Sequence, residues 1–146
     1  MADIQHRFFT ASDYAVAGAS NNTSKFGYKL LEWYHSRGIP VTPITPTSDE
    51  ILGLKCVSDV AKLVSDKSNT SLSIVTPPKI TKAILEQASK EAELKALWLQ
   101  PGAEDRDVVD YINSNEWLKE RTVYGGPCVL VLGDKLRKDV AAQGKL

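Results

Sequence analysis

The stretch Tyr14-Ala15-Val16-Ala17-Gly18-Ala19-Ser20-Asn21-Asn22-Thr23-Ser24-Lys25-Phe26-Gly27 decides how the chain is read. Residues 14–18 form a short apolar run with little alternation, the pattern of a strand covered by helices on both faces. A polar loop follows. Over residues 25–37, Phe26, Leu30, Trp33 and Tyr34 recur at i, i+4, i+7 and i+8, which is one face of a helix, and Gly38 supplies its stop. Strand, short loop and helix make the opening unit of a parallel α/β sheet.

The pattern repeats outward from there. Residues 39–44 read as a second strand, with Pro40 and Pro43 confining it to an edge or an end of the sheet. Residues 57–64 read as a short helix with Ser58 or Asp59 as N-cap, and 72–75 as a third strand. Pro77-Pro78 opens a helix whose stripe is Ile80, Ala83, Ile84 and Ala88. Residues 94–99 are a fourth strand, Gln100-Pro101-Gly102 its turn, and Val108, Val109 and Ile112 the inner face of another helix. Residues 122–124 give a fifth strand, broken by Gly125-Gly126-Pro127. The apolar run 128–132 continues the sheet or covers its edge, and 133–146 read as a polar tail, frayed or weakly helical, outside a core of about residues 10–132. The expected fold is a doubly wound, Rossmann-like, mostly parallel five-stranded sheet with helices on both faces, in one domain.

Composition limits the function. The chain has 146 residues, 42% hydrophobic, with 18 Lys+Arg against 18 Asp+Glu and so no net charge. Without a basic face, binding nucleic acid or an anionic membrane through phosphate neutralisation is not expected. No apolar run approaches the roughly 18 residues of a membrane span, so the expectation is a cytoplasmic protein. Cys56 and Cys128 lie far apart with no C-x-x-C spacing, which provides neither a zinc ribbon nor a dithiol pair.

Ligands of doubly wound sheets bind beyond the carboxyl ends of the strands, where strand order reverses. In the order 3-2-1-4-5 that point lies between the first and fourth strands, where residues 18–27 and 100–102 meet, flanked by Thr45-Pro46 and Thr76-Pro77-Pro78. Gly18 lets the backbone approach a ligand, Ser20, Asn21, Thr23 and Ser24 offer short polar groups, and Lys25 stands at a helix N-terminus that favours anions. A phosphate or pyrophosphate suits this loop. The other reading is that residues 21–24 only cap the helix and Gly27 only permits close helix packing. Neither G-x-x-x-x-G-K-[ST] nor G-x-G-x-x-G is present, and Ile44-Thr45-Pro46 puts no acid at the end of the second strand to hold a ribose. NAD(P) is therefore disfavoured, and since His6 and His35 show no evident acid partner at a predicted loop, triad hydrolysis is not expected.

In Val16-Ala17-Gly18-Ala19-Ser20-Asn21-Asn22 with Lys25-Phe26-Gly27-Tyr28, Val41-Thr42-Pro43-Ile44-Thr45-Pro46, Ile51-Leu52-Gly53, Ser73-Ile74-Val75-Thr76-Pro77-Pro78 and Trp98-Leu99-Gln100-Pro101-Gly102-Ala103, the chain resembles the stand-alone CoA-binding domain family. That family is similar in fold to the N-terminal domain of the succinyl-CoA ligase α-subunit. The resemblance implies a site for coenzyme A or an acyl-CoA, with no catalytic residues and no metal. Gly18, Ala19, Ser20, Asn21, Lys25, Phe26 and Gly27 would hold the ADP part. Thr45, Pro46, Thr76, Pro77, Pro78, Gln100, Pro101 and Gly102 would line the rest of the cleft. Thr47 stands where many members have a lysine able to neutralise the 3′-phosphate.

The leading reading is a non-catalytic binding module acting as sensor, carrier or subunit. Its rivals are a small NAD(P)-dependent oxidoreductase and a redox-regulated interaction domain with a vestigial cleft. Cys128 is a redox candidate in the latter, although a buried apolar role suits its Val-Leu-Val-Leu context better. Trp117 marks a candidate surface for a homodimer or a partner protein. The carboxylates of Glu104, Asp105, Asp107 and Asp110 read as the first turn and solvent face of a helix.

Overall fold

The computed structural model describes residues 2–91 and 93–144. In chain order its strands are β1 (Asp13–Ala17), β2 (Val41–Ile44), β3 (Glu50–Ile51), β4 (Leu54–Lys55), β5 (Thr70–Ile74), β6 (Ala96–Leu99) and β7 (Thr122–Val123). Its helices are α1 (Ala2–Phe8), α2 (Phe26–Ser36), α3 (Pro78–Glu91), α4 (Arg106–Asn113), α5 (Glu116–Lys119) and α6 (Val129–Ala142). Five strands pair in parallel in the order β2-β1-β5-β6-β7, which gives the Rossmann-like α/β sheet, and β3 and β4 form a separate antiparallel hairpin.

This order corrects the expected one. The third strand of the sheet, β5, lies beside β1 and not outside β2. The reason is the outer edge of β2. Pro40 and Ile44 accept from Tyr14 of β1 and from Gly18 just after it, so Pro43 turns its nitrogen the other way, where it can donate nothing. Val57 closes the same edge: its N–H donates to Pro43 O at 3.0 Å, and its carbonyl accepts from Thr45 N at 2.9 Å. Order therefore reverses between β1 and β5.

Alternation along the strands sorts the core into two clusters. Tyr14, Val16, Ala96 and Trp98 face one side and pack with α1, α2 and α6 through Phe8, Leu30, Leu31 and Val140. Ala15, Ala17, Leu97 and Leu99 face the other and pack with Leu85, Val108, Ile112 and Leu118 of α3, α4 and α5. The central strand β5 carries Leu72 and Ile74 on the second face but Ser71 and Ser73 on the first, all fully buried. Both serines are satisfied: Ser71 Oγ donates to Phe8 O at 2.7 Å, and Ser73 Oγ lies 2.8 Å from the Tyr34 hydroxyl. Burial pushes the Tyr34 phenol pKa up, the serine bond only partly countering it, so the hydroxyl stays protonated.

Four further expectations change. Residues 2–8 are helical, and Phe8 and Phe9 sit wholly inside an aromatic cluster with Tyr14, Trp33 and Trp98. The expected helix at 57–64 is a single 3-10 turn, Val60–Lys62, capped by Asp59, whose side chain accepts from Ala61 N. The buried stripe of α3 is Thr81, Leu85 and Ala88, with Ile80 turned outward. The apolar run after Pro127 does not join the sheet: it begins α6, so the helix allowed for the tail starts earlier and is packed, burying Val129, Gly133, Leu136 and Val140. Cys128 is its half-buried N-cap residue. The acidic reading near 105 holds, since Asp105 caps α4 by accepting from Val108 N at 3.0 Å. Trp117 is partly buried against the second cluster, with the Arg121 guanidinium 4.5 Å from its ring.

Where α6 crosses α2, Gly133 lies flat on the Trp33 indole, and a Cβ there would overlap ring carbons. Ala is favoured over Gly in a helix by about 1 kcal/mol, yet overpacking a core contact costs about 1–3 kcal/mol. Gly133→Ala is therefore expected to lower stability in urea denaturation and to perturb tryptophan fluorescence. An unchanged or higher midpoint contradicts this packing.

Candidate functional site

A cavity of about 830 Å³ opens at the carboxyl ends of β1, β2 and β5, where the strand order reverses. Its floor is made by Ala17 and Gly18, Ile44, and Val75 and Thr76. One wall comes from the loop leading into α2 and its first turn: Ala19, Ser20, Ser24, Lys25, Phe26 and Gly27. Beyond β2 stand Thr45, Pro46, Thr47, Ser58, Asp59 and Val60, and α3 adds Pro77, Ile80, Ile84 and Gln87.

Two glycines bring the first wall close. Gly18 has φ +92°, and a Cβ there would meet Val75 Cγ2 at 2.8 Å and Thr76 Cγ2 at 3.0 Å. A Cβ on Gly27 would overlap the Gly18 carbonyl. The first turn of α2 thus rests directly on the turn that ends β1, a contact that only a residue without a side chain permits.

The loop polar groups shape the loop and do not cap the helix. Ser20 Oγ accepts from Asn22 N at 3.0 Å, and Asn22 Oδ1 accepts from Ser24 N at 3.0 Å and Ser24 Oγ at 2.6 Å. The N-cap residue is Lys25, and its side chain makes no cap bond. Tyr28 N and Lys29 N turn back to Lys25 O, both at 3.1 Å, while Phe26 and Gly27, the first two residues of α2, line the cavity with no side-chain cap, an arrangement that favours an anion. Phe26 is not part of the buried helix face. It is 57% exposed at the mouth, as is Ile80 at 52%.

The structure gathers Gly18, Ala19, Ser20, Lys25, Phe26, Gly27, Thr45, Pro46, Thr76 and Pro77 around this cavity and leaves five of the expected residues outside its lining. Asn21 points its amide to Ser48 Oγ, 3.0 Å away, and ties the loop to the β3–β4 hairpin segment. Pro78 starts α3 behind Pro77. Gln100, Pro101 and Gly102 follow β6, one strand beyond the reversal point, so the corrected strand order moves them away. Gln100 is 2% exposed and has another role. Its Oε1 accepts from Val129 N at 3.0 Å and its Nε2 donates to Cys128 Sγ at 3.2 Å, which holds the start of α6 against the sheet.

Sequence reading missed Ser58, Asp59 and Val60, which the Val57 bridge carries to the end of β2, and Ile80, Ile84 and Gln87, whose stripe reads as core. Among the lining residues two carry formal charge, Lys25 and Asp59. Cys56 is outside the lining, and burial, then Asp49 and Glu50, push its thiol pKa up and away from reactivity.

The donor set fits the pyrophosphate end of a nucleotide at the α2 side, and the apolar lining fits flat or aliphatic parts beyond it. The chain is 31% identical over 88 residues to an ADP-forming acetate–CoA ligase of Methanocaldococcus jannaschii, a match covering 60% of this chain and 12% of that enzyme. A conserved hypothetical protein from Pyrococcus furiosus superposes with TM-score 0.71 at 34% identity, covering 82% of this chain and 97% of that one. A dinucleotide-forming acetyl-coenzyme A synthetase of Ca. Korarchaeum cryptofilum, in complex with phosphate and ADP, superposes with TM-score 0.69 at 26% identity, covering 86% of this chain and 28% of that one. The family model for the CoA binding domain matches residues 12–134. From the sheet, the reversal-point cavity and this match together, the chain belongs to the CoA-binding domain family.

Proposed function

We propose that the chain binds coenzyme A or an acyl-CoA as a non-catalytic module, a sensor, carrier or subunit, with the pyrophosphate held by residues 18–27. One observation carries this: the Gly18–Gly27 contact sets an uncapped helix N-terminus, with Lys25 beside it, on the wall of the cavity. Backbone dipoles and one cation then meet two phosphates without any extended basic field. The family match supports coenzyme A as the nucleotide.

Thr45, Thr47, Ser58 and Gln87 supply the remaining polar contacts, and Ile80, Ile84 and Phe26 cover the less polar parts of the ligand. Among the described residues that line the cavity, the charged groups are Lys25 at the start of α2 and Asp59 beyond β2.

Titration calorimetry with coenzyme A on the folded chain is expected to give saturable heat, and a thermal scan a rising midpoint with ligand concentration. Absence of both at millimolar ligand overturns the reading. Lys25→Gln removes the cation from an exposed N-cap whose side chain caps nothing, so the fold should be unaffected while affinity falls roughly tenfold or more. Because so few charges are engaged, raising salt from about 0.05 to about 0.3 M is expected to weaken binding by less than about fivefold.

A further inference from the structure

In dinucleotide-binding doubly wound sheets an acid near the end of the second strand accepts from the ribose hydroxyls. This chain has no acid at that position in sequence, since Ile44-Thr45-Pro46-Thr47 runs on from β2. The fold supplies one from elsewhere. Val57 bridges to Ile44 as an extra half-strand on the outer edge of β2, so the next residues, Ser58 and Asp59, arrive beside Thr45 and Thr47 in the cavity lining.

Two features make Asp59 available to a ligand. Its Oδ1 accepts from Ala61 N at 2.9 Å and its Oδ2 from Ser58 Oγ at 3.3 Å, which fixes the carboxylate. Each oxygen has a second lone pair to spare. The second is placement: Val60, next to Asp59, packs with the α3 face, whereas the buried side of α2 packs on the opposite one. Among the lining residues no cation stands with Asp59 beyond β2.

We propose that this site selects an adenosine whose ribose hydroxyls are free, with Asp59 accepting from them, and disfavours the same nucleotide bearing a 3′-phosphate. The proposal rests on the reading that the adenosine-pyrophosphate end of the ligand occupies this cavity. A phosphate monoester carries about two negative charges and would face a fixed carboxylate with only hydroxyls to meet it. A free diol instead donates two hydrogen bonds to a charged acceptor.

Coenzyme A and dephospho-coenzyme A differ only in that phosphate, so calorimetry with both tests the inference. Asp59→Asn is the matched variant, because asparagine caps a helical turn as well as aspartate does and keeps the local fold. At low salt the wild-type chain is expected to bind dephospho-coenzyme A roughly tenfold more tightly, the advantage shrinking as salt screens the repulsion. In Asp59→Asn the ratio is expected to fall to about one or below, through weaker dephospho-coenzyme A and stronger coenzyme A binding. Equal or tighter coenzyme A binding by the wild type, or an unchanged ratio in the variant, overturns the selectivity and leaves the proposed function standing. Binding of neither ligand overturns both.

Discussion

Everything at the cavity end of this molecule depends on one contact, the backbone of Gly27 lying on the carbonyl of Gly18. It fixes how far α2 stands from β1, and through that distance how deep the cavity is and which groups line it. A methyl group at Gly27 would have to displace either the turn or the helix, and moving either one misplaces the first-turn N–H groups together with Lys25. The opposite end of α2 is anchored independently. Arg37 reaches Asp134 of α6 through two nitrogens at 2.8 and 3.0 Å and stacks 4.3 Å from the Trp33 ring. The helix is thus fixed at both of its ends.

The two faces of the sheet are stabilised by different means. On the α1–α2–α6 face, large aromatic side chains fill the space above the small Ser71 and Ser73, and hydrogen bonds to Phe8 O and the Tyr34 hydroxyl satisfy those serines. On the α3–α4–α5 face the fully buried side chains are aliphatic, with Tyr111, Trp117 and Tyr124 at the margin, and caps set the helix starts: Asp105 for α4 and Asn115 for α5. The ligand cavity lies where these layers part, so it has a polar, helix-end wall on one side and an apolar, aliphatic wall on the other.

Much of this was legible in the sequence, for physical reasons that also explain the failures. The strand–loop–helix unit around Gly18 was readable because a fully buried parallel strand and an amphipathic helix leave distinct periods. Helix α6 was not, because Val-Leu-Val-Leu at its start fits a strand equally well and one of its buried positions is Gly133, which carries no apolar signal. Helix α1 was missed because two turns give too little periodicity, although Phe8-Phe9 marks its buried end. The β3–β4 hairpin turns on Leu52 and Gly53, and Leu52 at φ +55° is a residue that turn propensities do not favour there. Strand order, and with it the fate of Gln100, is set by long-range pairing that no local window contains. Asp59 belongs to the same class: its place depends on a bridge between residues 44 and 57.

The closed outer edge of β2 reaches beyond strand order. An open edge of a parallel sheet is a template onto which another chain can add a strand, and proteins blunt such edges with proline or by covering them. Here Pro43 withholds a donor, Val57 occupies the neighbouring bonds, and the far edge, β7, is only two residues long. The sheet therefore gives a second molecule almost nothing to extend. Association of this chain with copies of itself or with other proteins has to be built on helix faces and loops, and the ordered sheet is kept out of aggregation by edge-to-edge pairing.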